Sequence, residues 1–279
     1  MAPDPTPAPS DDLLVDHLEE VWRRVVDLTA DLTEAEWKLP TEVPGWSVQD
    51  NLTHLTDIEA MILGLPRPDH EPPDGLVHVK NEPGVRNEVF VDARRSWPGA
   101  DARAEFLEVT GARLAQLRAL DADGFGAESW TPMGPGTVRD LLPFRAFDAW
   151  VHEQDMRAAL DRPGGVEGPA AEAAMDRIVG TVGFVVGKKV APPDGTVVVI
   201  ECTAPLARTI AIAVDGGRAR ALDDVPDAPT TRIGMPGDVY ARVACGRVDP
   251  AAVLTAGSVT IDGDEAIGRR VVEELNFLF

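Results

Sequence analysis

The hydrophobic pattern of this 279-residue chain changes period once, at Asp161-Arg162-Pro163-Gly164-Gly165. Before that break, apolar residues recur at three- and four-residue spacing, the pattern of helices that bury one face. After it, short runs bounded by turn residues take over, as strands require. Two periods in one chain predict a two-domain α+β protein, with helices at 10–161 and a mixed fold at 166–279.

Caps punctuate the first module. Ser10-Asp11-Asp12 opens an amphipathic stretch whose apolar positions are Leu13, Leu14, Leu18, Val21, Trp22, Val25, Val26 and Leu28. Thr33 with Glu36 has capping-box spacing and predicts a short helix at 34–37. Ser47 with Asp50, after a Pro-Gly-Trp turn, starts a longer helix that runs to about Gly64. Residues 67–83 are rich in Pro, Asp and Gly and read as a long loop, a length uncommon in compact domains unless it covers a site. Helical pattern returns over 85–96 and 100–120, and Thr137 with Asp140 caps a last helix to Leu160, with Pro143 as a bend. The sum is an up-and-down four-helix bundle. In the second module 170–188, 236–245 and 265–276 read as helices. Strands are expected at 196–202, 209–214, 219–222, 230–233 and 258–261, in a mostly antiparallel sheet with a hairpin turn at Asp215-Gly216-Gly217.

A net charge of -21 argues against nucleic-acid partners, which need clustered cations, and against anionic membranes. No apolar run reaches membrane-spanning length. Cys202 and Cys245 are too few for a disulfide framework and read as buried, inert thiols. Residues 1–9 lack the basic and apolar stretches of a secretory leader. Together these features predict a cytoplasmic protein.

Chemistry concentrates in the helical module. Of five histidines, His17 is expected to be solvated, and His70 and His78 lie in the long loop, with His78 the better outside candidate for a ligand. His54 falls on an apolar seam beside Leu52, Leu55 and Ile58. Asp148 and His152 stand four apart and project from one helical face, a stripe that Arg145 and Asp155 continue. If the two helices met, His54, Asp148 and His152 would form the His₂-carboxylate set of a catalytic zinc site, with one position open. Asp57 and Asp155 would orient the imidazoles. A carboxylate–His pair at this spacing is more often an ordinary polar pair, so spacing alone leaves the metal open.

Residues 42–55, Glu-Val-Pro-Gly-Trp-Ser-Val-Gln-Asp-Asn-Leu-Thr-His-Leu, resemble the Pro-Gly-Trp…His motif of DinB-like bundles. More narrowly they resemble the mycothiol-dependent maleylpyruvate isomerase family, whose second motif is similar to residues 145–157. The resemblance implies a divalent metal, zinc first, held by His54, Asp148 and His152. The family's pattern has Glu where this chain has Asp148, one methylene shorter. Residues 231–243, 246–250 and 259–264 resemble a sterol-carrier-like domain, which in that family follows the bundle and helps wall the active site.

The resemblance further implies mycothiol, or another low-molecular-weight thiol, as cofactor. Zinc stabilises a thiolate over its thiol. Added to a conjugated cis double bond and then expelled, the thiolate would isomerise a small electrophilic substrate; retained, it would be transferred. Isomerisation and S-transfer both stay open. An anionic substrate needs a local cation in so acidic a protein, and Arg86 and Arg145 are the leading candidates, ahead of Arg242 and Arg247. A metal-dependent hydrolase on the same bundle, or a non-catalytic binding protein for a small ligand, are the alternatives.

Overall fold

The computed structural model describes residues 9–278, and the chain divides into two units between Gly165 and Val166. The leader expectation therefore falls, but for Pro9, outside the described residues. No helix among them is long and apolar enough to cross a membrane.

The first unit opens with α1 (Asp11–Leu28), capped by Ser10, whose hydroxyl accepts from Leu13 N. Its buried stripe is Leu14, Leu18, Val21, Trp22 and Val25, one face at helical spacing, while Leu13 stays 39% exposed. Thr33 and Glu36 close a capping box around α2 (Glu34–Trp37), and Ser47 and Asp50 close another at the start of α3 (Val48–Ile62). The long loop then ends earlier than its composition suggests. Asn81 caps α4 (Glu82–Arg94), and Pro83 lies within the first turn, where its missing N–H has no helical partner to lose. Next come α5 (Gly99–Arg118), the short α6 (Ala122–Phe125), a hairpin of β1 (Glu128–Thr131) and β2 (Gly134–Thr137), and α7 (Val138–Leu160). Neither α6 nor the hairpin is expected from the sequence pattern.

Helices α1, α7, α3 and α5 pack in a closed ring, each against the next, and α4 rests on α3. The four-helix expectation holds for the ring, with α4 as an added fifth. Within it α3 is enclosed by α4, α5 and α7. Leu52 and Leu55 are fully buried there, each contributing ~1.5–3 kcal/mol by leaving water, which fixes the rotation of α3 about its axis.

The second unit is α+β. The expected single helix over 170–188 is instead α8 (Pro169–Val179), a break at Gly180, the turn α9 (Val182–Phe184) and a π-helical stretch, Val185–Val190. Strands β3 (Val197–Thr203), β4 (Arg208–Asp215), β5 (Arg218–Ala221), β6 (Thr231–Pro236) and β7 (Thr260–Gly263) form one sheet in the order β5-β4-β3-β6-β7. Among the described residues only β3 and β6 pair in parallel, so the sheet is mostly antiparallel. Central β3 buries Val198, Val199 and Ile200 on both faces. The β4–β5 turn needs two left-handed residues, and Gly216 and Gly217 supply them at φ 56° and 68°. Helices α10 (Gly237–Ala244), α11 (Pro250–Thr255) and α12 (Glu265–Glu273) complete the unit, α11 being unforeseen. Cys202 and Cys245 are free and buried, and burial pushes the Cys202 thiol up to about 12, as inert thiols should be.

Candidate metal centre

Two helices of the ring meet at the site. Helix α3 brings His54, and α7 brings Asp148 and His152 on one face. One ligand atom from each of the three lies within 4.8 Å of the others. His54 Nε2 is 3.6 Å from Asp148 Oδ2, and His152 Nε2 is 3.8 Å from Asp148 Oδ1. Donors sharing one zinc ion at ~2.0–2.2 Å stand roughly 3.3 Å apart, close to these separations. The imidazoles are 5% and 8% exposed, the carboxylate 30%, so the site opens to solvent on the Asp148 side.

The surroundings hold each group in the form that binds a cation. His152 Nδ1 faces Asn51 Oδ1 at 2.7 Å and Asp155 Oδ2 at 3.0 Å. The Asn51 amide donates to Thr41 Oγ1 and to the Ser47 carbonyl, which turns its oxygen to the imidazole. Nδ1 therefore carries the proton, and the Nε2 lone pair faces the centre. Burial pushes the His54 imidazole below its ordinary value, against the opposing pull of Asp148, and so favours the neutral ligand. For Asp148 burial works against the charge, but the Arg145 guanidinium overcomes it and holds the carboxyl well below its usual range. Two imidazoles, one of them with its outer nitrogen donating to fixed acceptors, and one ionised carboxylate fit a first-row divalent ion.

The wall over the imidazoles is Trp46. Its ring lies 5.0 Å from that of His54 and 5.8 Å from that of His152. The Pro44-Gly45-Trp46 turn delivers it: Trp46 N donates to the Val43 carbonyl, and Gly45 at φ 81° takes the left-handed position. A Cβ on Gly45 would also strike the His78 ring at 2.3 Å. Glu88, 1% exposed, accepts from Trp46 Nε1 at 3.0 Å and meets His78 Nε2 at 3.1 Å.

A model of the mycothiol maleylpyruvate isomerase N-terminal domain matches residues 18–157, half of the chain. The chain belongs to this family. Two solved structures of the mycothiol-dependent maleylpyruvate isomerase, one a histidine-to-alanine mutant, share the fold, with TM-scores of 0.53 and 0.55. Each is 15% identical to this chain, and each alignment covers 91% of it and 93% of the other. A structure described as a UbiJ-SCP2 ubiquinone synthesis protein covers 35% of the chain at a TM-score of 0.27, too low to assign the fold of the second unit. No curated protein sequence matches.

Against the expectations from helical spacing, the outer residues are redistributed. Asp155 meets His152 as expected, but Asp57 does not serve His54. Its Oδ2 takes Arg67 Nη2 at 3.2 Å, and His54 Nδ1 is buried without a partner. Arg145 lies beside Asp148 but is 3% exposed, its Nε on Glu59 Oε1 at 2.7 Å and its Nη1 on Asp148 Oδ2 at 2.9 Å. Two carboxylates neutralise it, which makes it a support for Asp148 before it is a substrate cation. Arg86 is exposed on α4; its carbonyl accepts from Arg67, and among the described residues no bond joins its side chain to the three ligands. Arg242 and Arg247 belong to the second unit, where Arg247 Nη1 donates to the Cys245 carbonyl. His70 pairs with Asp92 at 2.7 Å, and His17 is half-buried rather than solvated, its imidazole pushed down by that burial. Asn51, Trp46, Glu59 and Glu88 went unassigned in the sequence because their partners come from distant segments.

Proposed function

We propose that this chain is a metal-dependent, thiol-using enzyme of the maleylpyruvate isomerase type. The convergence of His54, Asp148 and His152 carries the reading. A divalent ion held there, zinc first, supplies the positive charge that keeps a bound low-molecular-weight thiol, mycothiol in this family, ionised at neutral pH. The protein's own groups prepare that centre. Asn51 and Asp155 hold the proton on His152 Nδ1, Trp46 covers both imidazoles against water, and Arg145 keeps Asp148 ionised and oriented. The exposed side of Asp148 is where thiol and substrate would enter. For the anionic end of a small electrophilic substrate, we assign Arg86 as the first candidate. Arg67 ties its carbonyl to Asp57, one turn along α3 from His54. The remaining Nη2 of Arg145, buried without a partner, is the second.

Maleylpyruvate, the substrate named for the similar structures, is the first compound to assay. Turnover should require both added mycothiol and a divalent ion, and should be lost on chelation and regained with zinc. Recovery of the trans isomer with free thiol marks an isomerase; a thioether product marks a transferase. Turnover without any thiol would refute the proposal in favour of a hydrolase. Arg86→Ala is expected to raise KM with little change in kcat.

A further inference from the structure

We propose that Glu59 is a positioning residue for the metal centre, acting through Arg145 on Asp148; this rests on the metal-binding reading above. Glu59 stands on α3, five residues beyond His54, and is 0% exposed. A carboxylate at that depth is not explained by stability, because well-packed apolar side chains usually replace buried ion pairs without loss.

Its contacts suggest a different reason. Glu59 Oε1 accepts from Arg145 Nε at 2.7 Å, and Oε2 accepts from Arg113 Nε at 3.3 Å. Arg113 is 3% exposed and is itself steadied by Gln116. With Nε held on Glu59, the plane of the Arg145 guanidinium is fixed, and it reaches Asp148 through Nη1 alone, on Oδ2 at 2.9 Å. Asp148 Oδ1 is thereby left facing His152 Nε2 at 3.8 Å. Arg145 Nη2 is buried without a partner. It is the second donor that a two-point grip on a carboxylate requires, and guanidinium groups favour that grip.

Glu59 therefore decides which of two roles Arg145 plays. Held by Glu59, the arginine supports Asp148 from one side and leaves an oxygen to the cation. Released, it can take both oxygens and compete for the ligand. Charge acts in the same direction. Glu59 and Asp148 balance Arg113 and Arg145, so removing Glu59 leaves a buried positive charge beside a site meant for a cation.

The test is titration of metal-stripped protein with Co²⁺, read by its ligand-field absorption, alongside thermal melts. Wild type should bind one ion per chain. Glu59→Gln should bind ten- to a hundredfold more weakly, the usual effect of changing a ligand's outer partner. Adding Arg145→Met to Glu59→Gln should recover part of that affinity, because the competitor and the excess positive charge are gone although Asp148 also loses its support. A purely structural role for Glu59 predicts that the double variant binds no better than the single one. Unchanged affinity in Glu59→Gln, or no recovery in the double variant, overturns the inference alone. Absence of Co²⁺ binding by wild type overturns the metal reading and this inference with it. If Glu59→Gln does not fold, the double variant decides: affinity within tenfold of wild type supports the role, and lost affinity refutes it.

Discussion

Helices α1 and α3 belong to the same ring of the bundle but spend their buried positions differently. Every buried side chain of α1 is apolar, from Leu14 to Leu28. Helix α3 buries Gln49, Asn51, His54, Asp57 and Glu59 beside its two leucines. Three of these polar groups are bound to other elements: Gln49 Nε2 donates to the Arg94 carbonyl, Asn51 meets His152, and Glu59 holds Arg113 and Arg145. Burying a polar group is costly unless it is partnered. A helix enclosed by three others, as α3 is, can supply such partners from several sides. The contrast assigns stability chiefly to α1 and chemistry chiefly to α3.

Substitutions can break that division. Leu18→Ala on α1 should lose ~3–5 kcal/mol of unfolding free energy, by transfer and cavity effects, while the folded protein keeps its metal. His54→Ala should do the reverse, losing the metal while metal-free stability moves by ~1 kcal/mol, as ordinary substitutions do. Denaturant melts and metal content on the same samples separate the two, and equal effects on both readouts would erase the contrast. Asn51→Leu sharpens it at a single atom. His152 Nδ1 would keep only Asp155, and metal affinity should fall about tenfold by competition titration.

Smaller effects test the frame of α3. Ser47→Ala removes the hydroxyl that caps Asp50 N, and should lower stability by ~1 kcal/mol. Burial pushes the Asp57 carboxyl from 3.8 up to about 6. The folded protein then binds that proton more tightly than the unfolded chain, so this group's contribution to stability falls as pH rises from about 4 to about 6. Asp57→Asn should remove that slope, so that its stability relative to wild type improves across the same interval in denaturant melts. A difference that stays flat would show that Arg67, rather than burial, sets the state of Asp57.

Local signals were the ones legible in the sequence. Thr33 with Glu36, Ser47 with Asp50 and Thr137 with Asp140 each form a capping box across three residues, and all three helices start where those pairs place them. The pairing of Asp148 with His152 is equally local, being one helical turn. The β1–β2 hairpin escaped because its four-residue strands, with Gly134, Pro135 and Gly136 in the second, show no alternation. The π-helical stretch escaped because Gly180 and Gly183 sit in an apolar run that reads as one helix. Asn51 lies inside the recognisable Pro-Gly-Trp segment, yet its role depends on His152, 101 residues away. Glu59 is 86 residues from Arg145. Such links arise only when α3 and α7 pack, so a propensity reading could place the helices but not the groups that tune the ligands.

Metal content by elemental analysis of wild type, His54→Ala, His152→Ala and Leu18→Ala tests the central claim most directly. The account predicts one divalent ion per chain in wild type and in folded Leu18→Ala, and none in either histidine variant. Stoichiometric metal in both histidine variants would contradict it.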